Sequence, residues 1–278
     1  MMAGYQFISG LPRSGSTLLA GILRQNPLFH AGMSSPVAGL VGGCLEQMGA
    51  GSEFYTFFDQ QKRKRICTAL FDAYYQDQSA YEVIFDTNRL WTARLHQLDA
   101  LFGEVKVICC VRNPAWVLDS FELIYRKNPL EYSRMYNPQT RQTVYSRCES
   151  LMAGSGVVGS AWAALKEAYY GEHSARLLLI DYDILAQYPQ RTMQLLYQFL
   201  GYPAYSHDFD NVDYQANEFD LQLGAKGLHD VKRKVAFHPR TSILPPDLFK
   251  KYSEMAFWED TRGTAASLIA PKREEREP

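Results

Sequence analysis

The stretch from Tyr5 to Asn26, reading YQFISGLPRSGSTLLAGILRQN, constrains the fold of this chain more than any other. Aromatic and β-branched residues from Tyr5 to Ser9 predict a short buried strand. Gly10 and Pro12 punctuate it, and from Gly15 onward the residues suit a helix with Leu18, Leu19, Ile22 and Leu23 on its apolar stripe. Between strand and helix lie Arg13, Ser14, Gly15, Ser16 and Thr17. Such a turn leaves backbone N–H groups unpaired at a helix start, where the positive end of the dipole favours an anion. The hydroxyls and the guanidinium add donors at the same point, so the turn reads as a phosphate cradle.

Its spacing narrows the chemistry. Gly10-x4-Gly15-Ser16-Thr17 has the frame of a P-loop, but Ser16 stands where the phosphate-gripping lysine belongs. Without that lysine the β- and γ-phosphates of ATP or GTP lack their main charge partner, which argues against ordinary nucleotide hydrolysis. The cation has moved to Arg13, inside the turn.

A chain of 278 residues is long enough for one sizeable α/β domain, expected over 1–270, with 271–278 a charged tail. Lys and Arg number 29 against 30 acids, so no global field invites a nucleic acid and any basic site must be local. The run Lys62 to Arg65 is accordingly read as a solvated helix face. No apolar run approaches the roughly 20 residues of a membrane span. The N-terminus also has no secretory pattern. Five scattered cysteines without C-x-x-C spacing read as reduced, and the chain as cytoplasmic and metal-free. A homodimer is compatible with the sequence but not specified by it.

Further strands are expected at Tyr81–Phe85, Val105–Val111 and Arg176–Ile180, with helices between them. Near-continuous apolar runs such as VKVICCV are strands buried on both faces of a parallel sheet. The expected fold is therefore α/β, a single domain with a central parallel sheet flanked by helices in three layers, like the P-loop NTPases. Asp86 to Arg89, Arg112 and Asp181 to Asp183 each follow a strand, at the carboxyl edge where α/β sheets bind ligands. His30 to Gly43 shows no clear period, and Lys127 to Arg147 is read as a loop or lid beside an acceptor site.

Arg112 and Ser120 form a second anchor. Arg112 closes the VKVICCV strand and Ser120 lies two helical turns on, so guanidinium and hydroxyl can share one phosphate monoester. The pair of anchors resembles the 3′-phosphoadenosine 5′-phosphosulfate (PAPS) site of the PAPS-dependent sulfotransferases. Pro12 to Leu18 is similar to their 5′-phosphosulfate loop, P-[KR]-[SG]-G-[ST]-[ST]-[LW], and VRNPAWVLDSF to their V-R-[DN]-[PG]-x5-S segment. IDYDILAQYPQRTMQLLYQFLG and GAKGLHDVKRKVAF resemble two further segments of the group that includes tyrosylprotein sulfotransferases and bacterial relatives. The resemblance implies sulfuryl transfer from PAPS to a hydroxyl or amine of a small-molecule or peptide acceptor, releasing 3′,5′-adenosine bisphosphate. It implies cofactor contacts from Pro12, Arg13, Ser14, Gly15, Ser16, Thr17, Leu18, Arg112, Ser120 and Tyr182, and from Lys226, Gly227, His229 and Lys234 in a late basic loop.

The sequence departs from that family twice. Gly32-Met33-Ser34-Ser35 carries no carboxylate where tyrosylprotein sulfotransferases have their base, and Thr87 occupies the slot of their catalytic lysine. Arg89 is expected to supply the missing cation and Asp86 the base, with Arg13 stabilising the leaving oxygen. His30 and Glu46 stay open as alternative bases, and Asp86–Arg89 as a local salt bridge or helix cap. Two rival functions stay open as well: a P-loop nucleotide or small-molecule kinase, and an inactive nucleotide-binding relative.

Overall fold

The computed structural model describes residues 4–127, 130, 136, 139–214, 220, 231 and 233–271. Six strands form one sheet among these residues: Gly4–Gly10 (β1), Phe29–Ala31 (β2), Val83–Thr87 (β3), Val107–Val111 (β4), Leu177–Asp181 (β5) and Ser267–Ile269 (β6). Their order is β2-β3-β1-β4-β5-β6 and every pairing is parallel.

The period-two alternation of a strand divides these apolar runs between two cores. Phe7, Ile84, Val107, Cys109, Leu177 and Leu179 face one side. There they meet Val37–Gln47 (α2), Gln60–Tyr74 (α3), Leu95–Phe102 (α4) and Gly159–Tyr170 (α7). Ile8, Phe85, Ile108, Cys110, Leu178 and Ile180 face the other, under Ser16–Leu23 (α1) and Pro189–Leu200 (α9). A third cluster joins Pro114–Lys127 (α5), Val144–Met152 (α6) and Pro246–Ser253 (α10) at the sheet's carboxyl end. Arg147 of α6 is bound to Glu122 of α5 by two hydrogen bonds, of 2.9 and 2.8 Å, both residues being buried.

The chain leaves β1 toward β2 on one side and leaves β4 toward β5 on the other. The reversal falls between β1 and β4, where an open parallel sheet forms its ligand crevice. Arg13 follows β1 and Arg112 follows β4.

Several expectations need correction. His30 to Gly43 holds edge strand β2 and most of α2. The strand is too short to show a period, and three glycines weaken the helical signal. One of those glycines, Gly42, is where Arg94 passes, since a Cβ there would stand 2.6 Å from Arg94 Nη2. Edge strand β6 was not expected. The expected strand at Tyr81–Phe85 begins and ends two residues later, with consequences for Asp86. The tail at 272–278 and part of the proposed lid (128–129, 131–135, 137–138) lie outside the described residues, as do Lys226, Gly227 and His229. No helix among the described residues is long and apolar enough to cross a membrane.

Candidate active site

The crevice between β1 and β4 opens into a cavity of about 1090 Å³. That volume lies at the upper end for small-molecule sites. On one wall, Gly10 ends β1 at φ 106°, so close to β4 that an added Cβ would lie 2.2 Å from the Cys110 carbonyl oxygen. The chain then turns through Arg13, a non-glycine residue at φ 59°, and Gly15 at φ 92°. Gly15 is the residue before α1, and no side chain caps that helix and no acid occupies its first turn. The first amides of α1 therefore point, uncompensated, at the cavity lined by Gly15, Ser16, Thr17 and Leu18.

Arg13 reaches across the crevice, and its Nε donates to Ser120 Oγ at 3.1 Å. Ser120 accepts that bond and so keeps its own O–H proton for another acceptor. Arg112 contacts Asp183 Oδ1 at 3.0 Å, with its guanidinium 4.5 Å from the Tyr182 ring centre. That contact is poorly aligned for a hydrogen bond: both Arg112 Nε and Asp183 Oδ1 are buried without a hydrogen-bond partner. Tyr182 also abuts the loop, since a Cβ on Gly15 would lie 2.7 Å from Tyr182 Cδ2. One aromatic ring thus spaces the two anchors.

Pro12, Arg13, Gly15, Ser16, Thr17, Leu18, Arg112, Ser120, Tyr182, Lys234 and Arg89 all line the cavity. Ser14 does not. It is buried, and its hydroxyl donates to the Pro12 carbonyl at 3.4 Å, inside the loop. Lys234 stands at the rim, paired with Asp210 at 2.8 Å, both side chains well exposed.

Asp86 requires the main correction. It is the fourth residue of β3 rather than a residue beyond it, and alternation turns it into the core on the α3 side. Its carboxylate accepts from Ser35 Oγ at 2.6 Å, Tyr75 Oη at 2.7 Å and Trp91 Nε1 at 2.7 Å, with no exposed surface. Burial raises its pKa, although those three donors pull the other way. Asp86 is no part of the cavity lining and makes no ion pair with Arg89, so the structure brings neither the expected base to the crevice nor the local salt bridge into being. His30 and Glu46 do not line the cavity either.

Thr87, next in the strand, faces the opposite way, and its Oγ1 is buried without a hydrogen-bond partner at the cavity wall. Arg89 stands in the cavity solvent with no carboxylate paired to it among the described residues. The surrounding protein lowers its pKa.

Sequence reasoning missed Trp116, His238 and Arg240. Two guanidinium groups approach the Trp116 ring, Arg112 at 5.9 Å and Arg240 at 4.8 Å from its centre. Arg240 is ion-paired to Asp119, which also accepts from Ser242 Oγ and the Ile243 amide, each at 2.7 Å. His238 and Arg240 line the cavity, from a segment without periodicity that only tertiary contacts bring there. No Asp or Glu among the described residues lines it.

The fold and site together are a parallel α/β sheet with a glycine-bearing strand–helix turn and a second guanidinium, Arg112, on either side of its switch point. Residues 5–220 match the sulfotransferase domain, and the chain belongs to that family. Among solved structures it is similar to the sulfotransferase domain of the Synechococcus PCC 7002 olefin synthase. The identity there is 20%, over 91% of this chain and 94% of that one, with a TM-score of 0.48. The sulfotransferase domain from the curacin biosynthetic pathway is similar at 18% identity, 98% and 94% coverage and a TM-score of 0.49. A sulfotransferase from Alicyclobacillus acidocaldarius matches at 14% identity, 90% coverage of each chain and the same TM-score. No curated protein is significantly similar in sequence.

Proposed function

We propose that this chain transfers the sulfuryl group of PAPS, in line and without a metal, to a hydroxyl or amine of a small-molecule or peptide acceptor. The observation that carries this reading is that Arg13 and Arg112, one on each side of the switch point, line a single cavity. The residues fit such a donor. The loop glycines, Gly10 at φ 106° and Gly15 at φ 92°, let the turn keep its left-handed path against β4 and Tyr182, and Arg112 Nε and Thr87 Oγ1 are buried donors without partners.

PAPS, when bound, supplies the sulfuryl group and departs as 3′,5′-adenosine bisphosphate. Arg13 and the amides of Gly15 to Thr17 would hold its 5′ end and stabilise charge on the leaving oxygen. Arg112 and the free O–H of Ser120 would hold the 3′-phosphate, with Tyr182 packed beside Arg112. Thr87 and Arg89 stand at the end of β3 and would donate to oxygens on the transferred group or the acceptor. The acceptor must lose a proton, and among the described residues His238 is the imidazole that lines the cavity. It replaces Asp86 as our candidate base. All five cysteines are unpaired, which suits the reducing cytoplasm.

Thermal-shift titration tests the donor: 3′,5′-adenosine bisphosphate should stabilise the protein, by about 2.7 kcal/mol at a hundredfold excess over Kd. AMP, lacking the second anion, should do markedly less. A kinase would instead respond to ATP with magnesium and not to the bisphosphate, which would overturn the proposal. The kinase reading has against it both Ser16 at the P-loop lysine position and the family match.

A further inference from the structure

Outside the active site, one cluster of side chains has the shape of a metal site. His96 Nδ1 lies 3.2 Å from His173 Nε2 and 3.4 Å from Glu172 Oε1, and His173 Nε2 lies 3.7 Å from the same carboxylate oxygen. Three lone-pair donors thus form a triangle. Zinc bonds of about 2.0–2.2 Å in tetrahedral geometry set neighbouring ligand atoms roughly 3.3–3.6 Å apart. We infer that His96, Glu172 and His173 bind one divalent ion of the zinc class through one face of that tetrahedron, leaving the fourth position to water.

The donor set chooses among cations. Two imidazoles and one carboxylate suit zinc and its transition-metal neighbours, whereas magnesium and calcium require shells of oxygen.

The ligands also stand on a prepared platform. His96 belongs to α4, while Glu172 and His173 lie in the turn between α7 and β5. Arg176 ties the two segments together: it pairs with Asp99, one turn along α4 from His96, at 2.5 Å, and donates to the Gly103 carbonyl at the end of that helix. The turn is closed by Ser174 N to Gly171 O at 3.1 Å and Arg176 N to His173 O at 3.0 Å. Its Ser174 Oγ also accepts from the Ala265 amide at 3.3 Å. Both ligand-bearing backbones are therefore fixed before an ion arrives, which lowers the cost of ordering the site. None of the three residues lines the catalytic cavity, so the ion's place is that of a cross-link between α4 and the α7–β5 turn.

Zinc chloride titrated calorimetrically into untagged, chelator-treated, reduced full-length protein tests this. One saturable site is expected, with magnesium chloride giving none. His96→Ala and His173→Ala should each weaken zinc by about tenfold or more. Their melting temperatures without metal should stay near that of the parent, because His96 is exposed and His173 only partly buried. Glu172→Gln serves as a third variant should either imidazole prove necessary for folding. Cobalt(II) should give visible d–d absorption without a thiolate charge-transfer band. The assignment fails if zinc does not saturate a site, if the double variant His96→Ala/His173→Ala binds it as tightly, or if cobalt reports thiolate ligation at the cysteines.

Discussion

Arg13 and Ser120 are 107 positions apart in the chain, yet Arg13 Nε donates to Ser120 Oγ at 3.1 Å. That bond closes the crevice between the turn after β1 and helix α5 after β4. It makes the two anchors one unit, in which the loop's guanidinium orients the hydroxyl of the other.

Removing either guanidinium should therefore cost affinity for 3′,5′-adenosine bisphosphate while leaving the fold intact. Charge-assisted hydrogen bonds contribute about 1.5–3 kcal/mol, so Arg13→Ala and Arg112→Ala should each raise Kd roughly 10- to 100-fold. Ser120→Ala should do less, about 1 kcal/mol. Isothermal titration with the bisphosphate measures all three, and unchanged affinity in both arginine variants would remove them from the site.

The two loop glycines should fail differently. Gly10→Ala drives a methyl to within 2.2 Å of the Cys110 carbonyl oxygen at φ 106°, where the neighbour is a backbone in the middle of the sheet. Loss of soluble protein or a large fall in melting temperature is expected. Gly15→Ala meets the Tyr182 ring instead, which can rotate away. That variant should fold but bind nucleotide weakly. If Gly10→Ala kept the parent's melting temperature, the close approach of β1 to β4 would be wrong.

Asp86 is expected to be a stability residue. Asp86→Ala leaves the donors of Ser35, Tyr75 and Trp91 buried without an acceptor, at a cost of about 3 kcal/mol or more. Chemical denaturation measures this directly. Once corrected for the folded fraction, kcat should stay near the parent value.

His238→Gln addresses the proton. Loss of a general base costs about 100-fold or more in kcat, while the bisphosphate-induced thermal shift should be preserved. Unchanged turnover would exclude His238 as the base.

Asp181 carries a pH signature. It caps Tyr182–Gln187 (α8), accepting from the amides of Asp183 at 2.9 Å and Ile184 at 3.2 Å. Burial, then the neighbouring Asp183, push its carboxyl up to about 6. A carboxyl raised on folding favours the folded state most below its unfolded pKa of about 3.9, and that contribution is lost as pH rises through the folded value. Relative to Asp181→Asn, which keeps a capping oxygen, the parent should lose on the order of 2–3 kcal/mol between pH 4 and 6. Paired denaturation curves across that window check the sign, and a parent gaining stability would contradict it.

Much of the frame was legible because it is local. The strand–turn–helix at Tyr5 to Leu23 and the doubly buried run ending at Val111 follow from periodicity and glycine placement. So do Pro114 at the head of α5 and Gly201, left-handed at φ 80°, past α9. The error at Asp86 shows the limit. Two residues of uncertainty at a strand end are ordinary, yet one residue exchanges the faces of a sheet, so carboxylate and threonine traded places between core and cavity.

The order of residues by itself determined the strand–turn–helix at Tyr5 to Leu23 and the parallel class of the sheet, because both arise from contacts between near neighbours and from the polarity of short runs. Which groups face the shared space was settled only in three dimensions. Folding carried His238 and Arg240 into the cavity, brought two guanidinium groups to the Trp116 ring, and locked Asp86 under three donors. These pairings join residues whose separation along the chain has no period and no spacing rule, and close packing of the folded core is what selects them.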